Sequence, residues 1–140
     1  MRDVVDIEIA APVESVAERF SDPTNARRWM TDLERYEPIS GLPGEPGSKY
    51  RLLTDKLDFV ATVVEKDLPR SLRLLLDARG VSVAIDARFA ALPAGGTRLV
   101  SAEHFRFKGL RNKLGGLFAR RAIRRVHRRQ MEAFKKFVES

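Results

Sequence analysis

From about Phe107 to Ser140 the chain reads as one strongly basic helix with a single apolar side. Lys108, Arg111, Lys113, Arg120, Arg121, Arg124, Arg125, Arg128, Arg129, Lys135 and Lys136 are opposed only by Glu132 and Glu139. Among them Ala119, Ile123, Val126, Ala133, Phe134 and Phe137 recur at spacings of three, four and seven, the period of a helix with one face buried. Such a helix needs a partner, and the residues before it read as short strands that need a helix to close a core. Gly115-Gly116 weaken a helix, so its start is expected near Leu117, with Leu110, Leu114, Leu117 and Phe118 either a flap at the edge of a cavity or a loop packed on a sheet. Residues 106–140 carry a net +10 and residues 1–105 a net −3, so the total of +7 belongs to the helix. That face can serve solubility, or it can meet anionic lipid or an acidic protein. Nucleic acid is not expected, because no aromatic residues are interleaved for base stacking.

The preceding residues give the order of elements. Residues 2–9 alternate, with Val5, Ile7 and Ile9 on one side and Asp6 and Glu8 on the other, as in a half-buried strand. Pro12 suits a helix start, and Val13, Val16, Ala17 and Phe20 form the stripe of a short helix that ends at Asp22-Pro23. A second short helix, Thr24 to Met30, carries the only tryptophan, Trp29. Leu33 to Ile39 is an edge strand, since Pro38 would cost a ladder bond elsewhere. Gly41-Leu42-Pro43-Gly44-Glu45-Pro46-Gly47 is a loop, and without a Gly-Lys-Ser/Thr ending it is no phosphate cradle. Five strand-like runs follow: Ser48–Thr54, Leu57–Glu65, Arg70–Arg79, Val81–Ala91 and Thr97–Phe107. Their links are of hairpin length, so neighbours are antiparallel. The order β-α-α-β6-α is an α+β architecture in one domain, residues 1–140.

Several functions are excluded or not expected. With no Cys there is no disulfide, thiolate metal site or cysteine nucleophile. Two His without His-x-x-x-His spacing predict no metal site. No dinucleotide fingerprint occurs. There is no nucleophile elbow and no convincing pocket His, so no Ser-His-Asp triad is expected. Met1 to Asp6 lacks the apolar stretch of a signal peptide and no segment is long enough to span a bilayer, which makes a cytoplasmic protein the expectation.

Strand alternation predicts which side chains face the helix. Leu57, Phe59, Ala61 and Val63 share a side, as do Leu72, Leu74 and Leu76, and then Val81, Val83, Ile85, Ala87 and Phe89. In the last strand the row of Leu99 and Phe105 also contains Ser101 and Glu103, a hydroxyl and a carboxylate in an apolar row. If Glu103 faces inward it must find a donor or shift its pKa; otherwise it pairs with an Arg at the edge of the sheet or, with the register slipped by one residue, faces water. His104 falls on the opposite, wetter side. On the last helix His127 and Gln130 fall in the apolar sector and can hydrogen-bond a ligand, or His127 can sit at the sector's edge and reach solvent or a strand carbonyl.

Ile9-Ala10-Ala11-Pro12-Val13-Glu14-Ser15-Val16, Phe20-Ser21-Asp22-Pro23, Arg28-Trp29, Asp67-Leu68-Pro69-Arg70-Ser71-Leu72, Gly95-Gly96-Thr97-Arg98-Leu99 and the closing stretch from Gln130 to Glu139 follow one another along the chain in that order. In these motifs the chain resembles the polyketide cyclase/dehydrase and lipid-transport superfamily, with the START and Bet v 1-like helix-grip fold. The resemblance implies a curved antiparallel sheet gripping the C-terminal helix around an elongated apolar cavity. A lipid, quinone or polyketide-like ligand is then the expected partner, with no cofactor. Under that architecture Trp29, Tyr50, Phe59, Leu74, Ile85 and Phe105 are expected to line the cavity, together with Tyr36 and Phe89. Val126, Gln130 and Phe134 would cover it from the helix, and Ser101, Glu103 and His127 would supply polarity. A cyclase or dehydratase would use Glu103 or His127 as acid or base. A third class is an interaction module using the arginine face.

Overall fold

Seven strands pair into one antiparallel sheet, and the chain's last helix lies against it. The computed structural model describes residues 1–108 and 116–140. The elements are β1 (Arg2–Ile9), α1 (Val13–Ser21), a 3-10 turn (Pro23–Asn25), α2 (Ala26–Trp29), β2 (Leu33–Ser40), β3 (Lys49–Thr54), β4 (Asp58–Asp67), β5 (Ser71–Ala78), β6 (Val81–Ala91), β7 (Thr97–Phe107) and α3 (Gly116–Glu139). The sheet runs β1-β7-β6-β5-β4-β3-β2, so β2 to β7 form a meander and β1 returns to flank β7. This is the expected α+β helix-grip fold.

Local chemistry accounts for the breaks. Pro12 precedes α1 in extended conformation, one residue before the position expected of it. The single helix expected over Thr24–Met30 is divided instead. The Asp22 carboxylate accepts from the Thr24 N–H at 3.0 Å and the Thr24 hydroxyl at 2.7 Å, fixing a tight turn before α2 can start. Gly80 joins β5 to β6 with φ at +87°, a conformation that favours glycine. A Cβ at Gly96 would lie 2.9 Å from the Ile9 carbonyl oxygen, which explains a glycine where β7 approaches the end of β1.

The end of α3 is pinned to the end of β1. Lys135 Nζ donates to the Glu8 carbonyl at 2.7 Å, and Glu139 Oε2 accepts from the Ala10 N–H at 2.8 Å. Above this clamp Phe134, fully buried, meets Phe20 at 5.1 Å and Trp29 at 5.2 Å between ring centroids. Phe89 adds its edge to Phe20 at 5.6 Å. These four aromatics plug one end of the space between helix and sheet. The helix starts one residue before the expected Leu117; the flap expected around Leu110 and Leu114 lies outside the described residues, as do the side chains of Leu117 and Phe118.

Candidate functional site

Beyond the aromatic plug, a cavity of about 430 Å³ remains between sheet and helix. Its walls follow from the register. Ala61, Leu76, Val83 and Phe105 are successive cross-strand partners, and so are Val63, Leu74, Ile85, Glu103 and Asp3. Side chains of such rows project to one face. Phe59, Leu74, Leu76, Val83, Ile85 and Phe105 supply the sheet wall; Ile123, Val126, Gln130 and Met131 supply the helix wall; Trp29 and Met30 close one side. A larger groove of about 620 Å³ runs outside, between β1 and the end of α3, but its sides are chiefly charged groups such as Glu8, Glu132 and Lys136, and it is a surface feature.

The buried end of the cavity is polar. Ser101 and Glu103, two residues apart on β7, both line it. Behind them His127 is 1 % exposed. Its Nδ1 lies 2.8 Å from Asp3 Oδ2 and 3.4 Å from Glu103 Oε1, and its Nε2 lies 3.0 Å from Ser101 Oγ. Arg124 Nε stands 3.7 Å from the other Asp3 oxygen. An ionised carboxylate accepts only, so the hydrogen bond to Asp3 puts the imidazole proton on Nδ1 and leaves Nε2 to accept from the Ser101 hydroxyl. Burial pushes the Glu103 carboxyl up to about 8, with the Asp3 charge adding to the effect. Burial also lowers the His127 pKa, opposed by its hydrogen bond to Asp3. At neutral pH the cluster therefore holds a neutral His127 and a predominantly protonated Glu103.

Trp29, Tyr50, Phe59, Leu74, Ile85, Ser101, Glu103, Phe105, Val126 and Gln130 all face the cavity. His127 and Phe134 do not. Phe134 belongs to the aromatic plug, and His127 stands behind Ser101 because its two ring nitrogens are held by β1 and β7. Tyr36 and Phe89 are likewise away from it. Tyr36 packs beside Tyr50 at 5.6 Å, and Phe89 packs on Phe20. His104 is exposed on the other face of β7.

Ser101, His127 and Asp3 come together in the order of a Ser-His-Asp arrangement, a juxtaposition the sequence did not lead one to expect. Asp3 was the missing member, and alternation could have found it, since it shares the inward row of Val5 and Ile9. The resemblance to a serine hydrolase stops at those three residues. β7 is paired on both sides at Ser101, with Val5 of β1 and Ala87 of β6, so backbone N–H groups there serve the ladders rather than an oxyanion hole.

Two further polar groups matter. Trp29 is 9 % exposed, and its indole N–H has no hydrogen-bond partner among the described residues although the side chain lines the cavity. Gln130 Nε2 reaches Asp32 Oδ1 at 3.5 Å. Among the described residues no group of three or more His, Asp or Glu is arranged to hold a metal ion, and no helix is long and apolar enough to cross a membrane.

Comparison with known proteins agrees with this architecture. A family profile described as polyketide cyclase/dehydrase and lipid transport matches residues 4–139. No curated protein matches the sequence. Among solved structures, TTHA0849 from Thermus thermophilus superposes with a TM-score of 0.83 at 13 % identity, covering 99 % of this chain and 97 % of that one. SA2116 from Staphylococcus aureus gives 0.77 at 14 % identity, over 99 % and 94 % of the two chains. Ara h 8.0201 gives 0.73 at 12 % identity, over 99 % and 98 %. At such identities these neighbours speak for the fold alone. The profile match spans nearly every residue of the helix-grip architecture described above, and the chain belongs to the polyketide cyclase/dehydrase and lipid transport family.

Proposed function

We infer that the protein binds a hydrophobic small molecule, of lipid, quinone or polyketide-like character, between its sheet and α3. The observation that carries this reading is the cavity of about 430 Å³, walled by apolar side chains from five strands and three helices, with Ser101 and Glu103 among the polar groups of its sheet wall. A site of that volume and lining is the usual form of a small-molecule pocket. The apolar wall supplies affinity and the polar groups orient the occupant. Thermal melting in the presence of decylubiquinone, 1-dodecanol or a synthetic aromatic polyketide tests it. A ligand at a hundred times its Kd adds about 2.7 kcal/mol of stability, a rise of several degrees. The reading fails if no such molecule moves the melting temperature and a crystal structure shows side chains collapsed into the space.

A second reading is catalytic, and Glu103 favours it. A carboxyl that faces a cavity and titrates near 8 is poised to exchange a proton with a substrate carbonyl or its neighbouring carbon. That is the chemistry of a cyclase or dehydratase. Turnover of a poly-β-ketone substrate that is lost in Glu103→Gln supports it; unchanged turnover removes it.

The helix's outer face supports a peripheral contact with anionic lipid. Arg120, Arg121, Arg125 and Arg129 are exposed along one arc, while Arg124 and Arg128 stand within 4 Å of Asp3 and Glu132. Sedimentation with phosphatidylserine vesicles, weakening steeply between low and moderate salt, is the expected behaviour.

A further inference from the structure

The hydrogen inventory at the polar end of the cavity specifies what it can recognise. The Ser101 hydroxyl has one hydrogen, and it is spent on His127 Nε2 at 3.0 Å, so the oxygen turns only lone pairs toward the cavity. His127 is locked in that tautomer by Asp3 at 2.8 Å. Two residues along the same strand, Glu103 presents a carboxyl to the same space, with the Asp3 carboxylate directly across on β1. An acceptor and a carboxyl thus lie side by side, with a fixed negative charge behind them.

We propose that Ser101 and Glu103 form a recognition site for a hydroxyl group, so that the occupant is an uncharged apolar alcohol or phenol rather than a fatty or aromatic carboxylate. A ligand hydroxyl donates to Ser101 Oγ and accepts from the Glu103 carboxyl, satisfying both. A carboxylate has no hydrogen for Ser101 and would add a negative charge beside Asp3. Reversing such a ligand does not rescue it. Among the described residues, the exposed charged groups that line the cavity are Lys56 and Arg129 against Asp22 and Asp55, with Asp32 partly buried beside them, so this described lining carries no net positive charge. The unpartnered Trp29 indole N–H adds a donor, suited to a second, uncharged oxygen on the same molecule.

The proposal rests on the cavity binding apolar molecules, and one experiment separates the two ideas. Protein stripped of co-purified lipid on a hydrophobic resin is titrated with the uncharged fluorophore N-phenyl-1-naphthylamine, which is then displaced by 2-naphthol or by 2-naphthoate at pH 7. The fluorophore is expected to bind, and naphthol to displace it at least about tenfold more effectively than naphthoate, the usual size of a satisfied against an unsatisfied buried hydrogen bond. Ser101→Ala and Glu103→Leu should each cut that preference to about threefold or less, read as the ratio of the two displacement constants on the same variant. Glu103→Gln, which keeps a donor and an acceptor, should retain most of it. Equal displacement by the two competitors, or a preference that survives both Ser101→Ala and Glu103→Leu, overturns hydroxyl recognition with cavity binding intact. Failure of the fluorophore to bind overturns both.

Discussion

Asp3 of β1 and Glu103 of β7 face each other across the sheet in register, and the imidazole of His127 lies against both, 2.8 Å from one carboxylate and 3.4 Å from the other. Two like charges in directly opposed positions destabilise a sheet. Here the conflict is relieved by the ring N–H that Asp3 accepts and by a proton retained on Glu103. That arrangement makes the fold's stability depend on pH in a particular way.

The folded chain holds the Glu103 proton up to about 8, whereas an unfolded chain releases it near 4.5. Between those values the native state binds the extra proton, so stability falls as pH rises. His127 acts in the other sense: its folded pKa lies below 6.5, so stability falls as pH drops beneath that value. From pH 6.5 to 8 Glu103 outweighs His127, and stability should decline by about 1–2 kcal/mol, read as a falling melting temperature. Glu103→Gln should flatten that limb. A wild-type melting curve that is level across the interval would show that the buried carboxyl does not hold its proton.

Removing His127 leaves Asp3, whose side chain is 7 % exposed, without its buried partner. His127→Ala should cost about 2–4 kcal/mol in urea unfolding, because it leaves a buried carboxyl group without its donor and empties a packed position. The double variant Asp3→Asn with His127→Ala should recover at least about 1 kcal/mol relative to the sum of the single changes. Strict additivity would mean that the two residues are not energetically coupled.

Phe134 and Ile123 lie on the same helix and are expected to behave differently. Phe134 is fully enclosed by the aromatic plug, so Phe134→Ala should cost about 3–5 kcal/mol. Ile123 is half-buried against an existing cavity. Ile123→Ala should cost about 1 kcal/mol or less and mainly change the affinity for N-phenyl-1-naphthylamine. Equal destabilisation by the two changes would mean that the space beside Ile123 is closed in solution.

Trp29 is the only tryptophan and lines the cavity, so it reports directly on occupancy. Addition of 1-dodecanol should alter its emission intensity or maximum in a saturable manner, and Trp29→Phe should abolish the signal while leaving the thermal shift within a few degrees. A saturable thermal shift without any change in Trp29 emission would place the bound molecule elsewhere.

Alternation made the inward rows of the strands legible, including the interruption by Ser101 and Glu103, because a strand's period of two depends only on local sequence. Asp3 lies two residues before Val5 on the same side, yet it goes unread, because a residue so near the end of a pattern has little periodic support. Partners of His127 lay beyond any local signal: Ser101 and Asp3 are 26 and 124 residues away. Phe134 and Phe89 show another limit. They sit on the expected faces but at the level where α1 and α2 fill the space. Periodicity tells which way a side chain points, whereas its height along the cavity depends on what is packed above it.

Among the described residues β1 finds its only sheet neighbour in β7, roughly a hundred residues later. At ribosomal speeds of about 5–20 residues per second, the first strand leaves the exit tunnel on the order of ten seconds before its partner exists. Its alternating edge must stay unpaired, or be shielded by another protein, for all of that time. The groups around His127 come from residues 3, 101, 103 and 127, so no chain that stops short of residue 127 contains them together. The polar end of the cavity thus exists only once β1, β7 and α3 have all come together.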